Sequence, residues 1–183
     1  MPTWGWIVIA IAAAVVLVAV VLAGLRTRRS RQLRGRFGPE YDRVAADAPT
    51  KREAEAELRE RERRHDELHL RPLDRSDRER FRVRWENVQA RFVDDPPGAV
   101  RDADRLIQEV MRARGYPVDD FESRAAELSV DHGDVVENYR SAHGIATAYE
   151  RGDAGTEELR QAIKQYRSLF DSLVEHGRQE VTS

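Results

Sequence analysis

The chain has 183 residues, a formal net charge of −2 and 35% charged residues, yet residues 7–25 carry no charge at all. It contains no cysteine, which excludes disulfides, thiolate nucleophiles and Cys-ligated zinc. About 146 residues from Gly38 onward suffice for one domain with its own apolar core.

Arginine supplies nearly all the positive charge, with Lys51 and Lys164 the only lysines. Together with abundant Ala and Val, this points to GC-rich coding DNA and so to a bacterial source.

Residues 7–25 read IVIAIAAAVVLVAVVLAGL, and twelve of them are Ile, Val or Leu. On an insertion scale these favour a membrane helix by about 5 kcal/mol. Counted from Trp4, such a helix is roughly 33 Å long, enough for a ~30 Å hydrocarbon core. Trp4 and Trp6 stand at one edge, where indoles favour the interface. After the apolar run come Arg26, Arg28, Arg29, Arg31, Arg34 and Arg36 with no acid among them, and no Lys or Arg precedes it. Positive flanks stay cytoplasmic. The expectation is therefore one transmembrane anchor in the plasma (inner) membrane, N-terminus outside and the rest cytoplasmic. A cleaved signal peptide is the rival reading. The uncharged start, the length of the run and the following arginines argue against it.

Phe37-Gly38-Pro39-Glu40-Tyr41 predicts a turn entering a short helix, with Pro39 in its first turn. Thr50-Lys51-Arg52-Glu53 has the form of a capping box. The helix it opens, about 51–69, is polar nearly all round, which suits a solvated stalk or a helix on the domain surface. Ser76-Asp77-Arg78-Glu79 offers a second capping box, and Phe81, Trp85, Val88 and Phe92 then recur at helical spacing. Asp94-Asp95-Pro96-Pro97-Gly98 breaks the chain. Val100, Ala103, Leu106, Ile107, Val110 and Met111 stripe the next helix, which Gly115 and Pro117 should end. A short helix buries Phe121, Ala125 and Leu128. Another, from about His132 to Arg151, aligns Val135, Tyr139, Ala142, Ala146 and Tyr149. The last carries Leu159, Ile163, Tyr166, Phe170 and Leu173. No stretch alternates with period two, so no sheet is expected.

The expected fold class is all-α: one N-terminal transmembrane helix followed by a helical bundle. The divisions are an anchor at 1–25, a basic juxtamembrane segment at 26–37, a charged helical stalk or linker at 38–75, the bundle at 76–176 and a flexible tail at 177–183.

Few constellations suggest chemistry. His65 and His69 fall one turn apart, as in a zinc-binding helix, but the second position of the motif is Asp66 where a longer Glu would be the base. His143, one turn after Tyr139, reads as a hydrogen-bonded core residue, and His132 beside Asp131 and Asp134 as helix-start chemistry. There is no phosphate-binding glycine loop, nucleophile elbow or dinucleotide fingerprint. No catalytic residue, cofactor or metal is therefore expected. Setting the six arginines of 26–36 against the overall −2 leaves −8 for the rest, which disfavours nucleic acid.

Five segments, 36–43 (RFGPEYDR), 70–73 (LRPL), 85–96 (WENVQARFVDDP), 114–118 (RGYPV) and 128–132 (LSVDH), together resemble an uncharacterised bacterial family of small single-pass membrane proteins with a helical C-terminal region. The resemblance spans most of residues 33–175. It implies the same layout and no particular activity, substrate or cofactor. The functional expectation is a membrane-anchored cytoplasmic interaction or scaffold protein with a protein partner or self-association. The alternatives are a hydrolase using His65 and His69 or His143, and a sensor of anionic lipid or of the envelope.

Overall fold

The computed structural model describes residues 16, 17, 20, 24 and 27–175. These form eight helices and, among the described residues, no strand. We number them α1 (27–37), α2 (Pro39–Asp47), α3 (Lys51–Asp66), α4 (Arg75–Arg91), α5 (Pro96–Arg114), α6 (Phe121–Asp131), α7 (Val136–Glu150) and α8 (Thr156–Glu175).

The all-helical expectation holds, and its membrane-spanning part is corrected. Among the described residues no helix is long and apolar enough to cross a membrane. Within 27–37, α1 carries five arginines. Within that range Leu33 and Phe37 are buried against α2 and α3, whereas the described Val16, Leu17 and Val20 before it are exposed. Most of 7–25, together with Trp4, Trp6, Arg26 and the tail 177–183, lies outside the described residues.

The caps explain where the helices start. Asp74, Asp95 and Asp120 each accept a hydrogen bond from the backbone N–H three residues on, at 2.7, 2.9 and 2.9 Å. Each such cap contributes about 1 kcal/mol. Asp74 displaces the expected Ser76 box, because an Asp at that position reaches the Asp77 N–H first. Thr50 caps α3 as expected, accepting from the Glu53 N–H at 3.2 Å. At the other end of α5, Gly115 adopts the left-handed conformation, φ 95°. A side chain would be strained there, and a Cβ would also lie 2.7 Å from the His69 carbonyl oxygen.

Two apolar clusters result. The larger joins α4, α5, α7 and α8, with α6 alongside. Trp85 stacks on Phe170 at 4.8 Å, and the rings of Tyr139 and Tyr166 meet edge-on at 6.0 Å. The smaller consists of Leu33, Phe37, Tyr41, Val44, Ala54 and Leu58 from α1–α3, with Val130 the one buried side chain reaching it from α6. Helices α1–α3 thus form an arm with its own core. Where α1 turns into α2, the Phe37 carbonyl presses on Gly133, at which a Cβ would meet that oxygen at 2.7 Å.

Helix α3 lies on the surface of the domain, against α2 and α6, and does not stand clear as a stalk. Its buried side chains are Ala54, Leu58, Arg61 and His65.

Candidate functional site

Where the arm meets the bundle, the seam is polar. Glu40, in the first turn of α2, is fully buried. One oxygen, Oε1, accepts from Arg61 Nη1 at 2.8 Å, Arg43 Nη2 at 2.8 Å and Arg140 Nη2 at 3.1 Å; Arg43 Nε donates to Oε2 at 2.9 Å. Burial pushes the Glu40 carboxyl up, but the guanidiniums of Arg43, Arg140 and Arg61 outweigh it and hold it down to about 2, from an ordinary 4.5. Arg61 also pairs with Glu57, and Arg140 with Glu122 at 2.6 Å. One carboxylate therefore ties α2, α3 and α7 together.

A second group lies one turn farther along α3. His65 Nε2 stands 2.9 Å from Asp131 Oδ2, and the Tyr116 hydroxyl donates to the same oxygen at 3.1 Å. Burial raises the Asp131 carboxyl, but the bond to and charge of His65, with Tyr116 and His132 adding to them, bring it to about 2 from 3.8. His132 continues the chain, with Nε2 3.5 Å from the Tyr116 hydroxyl and Nδ1 2.8 Å from Ser172 Oγ on α8.

An open cleft of about 870 Å³ separates α2 and α3 from α6. Six carboxylates line it (Asp47, Glu53, Glu57, Asp119, Glu122 and Glu127) beside three guanidiniums, Arg43, Arg61 and Arg64. Each guanidinium is engaged within the chain: Arg43 with Glu40 and Asp47, Arg61 with Glu40 and Glu57, and Arg64 with Glu127 at 3.5 Å. Val44, Ala48, Pro49, Pro117 and Ala126 supply the apolar part of its walls.

His65 and His69, which the alternative hydrolase reading would use together, lie in different surroundings. Helix α3 ends at Asp66, so His69 lies on the following loop, exposed, while His65 is buried. His143 is half-buried and stacks on Phe121 at 3.7 Å. His132 does not start α7; it caps the end of α6, fully buried. Its approach to Ser172 has the distance of a base and a nucleophile, but neither residue lines the cleft. The pair ties the end of α6 to α8. Tyr139 is also enclosed, its hydroxyl accepting from Arg124 Nε at 3.1 Å, and burial raises its phenol. Among the described residues no group of three His, Cys, Asp or Glu is arranged to hold a metal ion.

Of the basic run, Arg28, Arg29 and Arg31 are exposed. Arg34 pairs with Asp42 at 2.8 Å and Arg36 with Glu62 at 3.1 Å, so the run's later members help hold α1 on the arm.

Sequence reasoning missed Glu40, Arg61 and Arg140. A signal existed for Arg61 and His65, because Ala54, Leu58, Arg61 and His65 recur at four, three and four. Two ionisable members hid a stripe that two more apolar residues would have declared. No family model matches the chain, and no curated protein or solved structure matches it either.

Proposed function

We propose that this chain is a helical protein-interaction module, and that the cleft between α2, α3 and α6 receives an arginine- or lysine-rich segment of a partner protein. The observation that carries the reading is the excess of carboxylate over guanidinium around the cleft: arginines of the chain engage Asp47, Glu57, Glu122 and Glu127, which leaves the Glu53 and Asp119 carboxylates for an incoming cation. An incoming cation meets carboxylate oxygens, and the stem of its side chain has Pro49, Pro117 and Ala126 to cover. Charge complementarity of this kind sets specificity and association rate more than raw affinity.

Titration of the protein with labelled basic and acidic peptides of equal length, followed by fluorescence anisotropy, tests the reading. The basic peptide should bind and weaken as salt rises. Reversing the exposed Glu53 and Asp119 to lysine should weaken it about tenfold, an order of magnitude usual for paired charges at a rim. Equal binding of both peptides, or no effect of the reversals, would sink it.

A further inference from the structure

The seam between arm and bundle holds three buried polar atoms with no hydrogen-bond partner: His65 Nδ1, Glu127 Oε2 and Arg140 Nε. Two of them face each other. His65 Nδ1 lies 3.9 Å from Glu127 Oε2, just too far for a hydrogen bond, while His65 Nε2 is bonded to Asp131. The imidazole is 7% exposed and is held between two carboxylates of α6, spaced one turn apart.

The charges facing it from each neighbouring element are few. Helix α3 contributes Arg64, which reaches the other oxygen of Glu127 at 3.5 Å, and Arg61, engaged with Glu40 and Glu57. Helix α6 contributes Glu127 and Asp131 themselves. The segment after α5 contributes Tyr116, whose ring lies 6.1 Å from the imidazole under the Arg114 guanidinium. His132, beyond Tyr116, is turned to Ser172.

Proton placement decides the sign of the contact. A ring protonated only at Nε2 donates to Asp131 and presents its Nδ1 lone pair to the Glu127 carboxylate, two acceptors face to face in a dry seam. That arrangement leaves both atoms desolvated and unpaired, which costs about 1–3 kcal/mol for each such group. A ring carrying both protons turns the same approach into a charge-assisted bridge between the two carboxylates. Histidine is the side chain that exchanges this proton in the physiological range.

We propose that His65 is a proton-operated latch, which clamps the end of α3 to Glu127 and Asp131 of α6 when both ring nitrogens are protonated and loosens the arm when Nδ1 loses its proton. The latch shares Glu127 with the wall of the cleft, but its test reads the chain alone, with no peptide present, and so stands or falls apart from peptide binding.

Native-state hydrogen exchange on the full chain tests it, with rates corrected for the intrinsic pH dependence of exchange. Compared at about pH 5 and about pH 8, protection at the last turn of α3 should be about fivefold lower at the higher pH in the unaltered protein. His65→Gln should abolish the fall. Glu127→Gln should do the same, because its amide N–H can donate to an unprotonated Nδ1. A flat profile in the unaltered protein overturns the latch, as does a fall that persists in His65→Gln. A fall lost in His65→Gln and kept in Glu127→Gln overturns the pairing with Glu127.

Discussion

Glu40 shows how much depends on a single carboxylate once it leaves water. Buried and surrounded by Arg43, Arg61 and Arg140, it is the acceptor that all three guanidiniums share. Glu40→Gln keeps the volume and should still destabilise by about 2 kcal/mol, because each guanidinium keeps a second carboxylate but loses its buried charge-assisted bond to Glu40. Urea denaturation at neutral pH checks this. The contrast is Arg84–Glu109, an ion pair about 40% exposed on both sides. Arg84→Ala there should cost less than about 1 kcal/mol in the same assay, since water already screens the pair. Nothing in the sequence marks Glu40 apart from the other acids. It lies in the first turn of a short helix, where an acid is ordinary, and only the meeting of α3 and α7 makes it central.

At the scale of elements, close backbone approach fixes the arm. A Cβ at Gly133 would meet the Phe37 carbonyl oxygen at 2.7 Å and that of Arg36 at 3.0 Å, both backbone atoms that cannot rotate away. Gly133→Ala should therefore push the α1–α2 corner off the bundle and destabilise by about 2 kcal/mol. Gly144, inside α7 with nothing within 4 Å of its would-be Cβ, gives the opposite sign. Alanine there should stabilise by about 0.5–1 kcal/mol through helix propensity. Thermal melts of the two variants, side by side, check the pair.

Helices that the apolar stripes declare are also those whose inner faces the bundle buries. Val100, Ala103, Leu106, Ile107, Val110 and Met111 of α5 are all enclosed, as are Leu159, Tyr166, Phe170 and Leu173 of α8. Period and burial agree there because the packing is mostly apolar, with Arg114 at the end of α5 the charged exception. They part company at α3, whose buried face is half ionisable, and at His132, where the chain ends one helix before it begins the next. The apolar run before α1 suggested a spanning helix on composition alone, and the described residues contain no such helix.

At the scale of the whole molecule, the described residues form two apolar clusters meeting across a seam of ions. Acid should separate them unequally. Glu40 and Asp131 have carboxyls held at about 2, below their ordinary 4.5 and 3.8. Their contribution is complete above about pH 5 and is lost as the pH falls through 2. Both tie the arm to the bundle, whereas the carboxylate that links α4 to α5, Glu109, is about 40% exposed, where water screens its pairing with Arg84. Exchange protection in α2 and α3 should thus collapse before that in α5 and α8 as acid is added; simultaneous loss throughout would contradict the two-cluster arrangement.

The stacking of Trp85 on Phe170, deep in the larger cluster and beneath the Arg167 guanidinium, gives that separation a colour. An indole enclosed there emits in the blue for as long as α4 and α8 stay together, whatever the arm does. Once Trp4 and Trp6 are exchanged for phenylalanine, a shift toward red marks the parting of the bundle alone. Departure of the arm leaves the spectrum where it was.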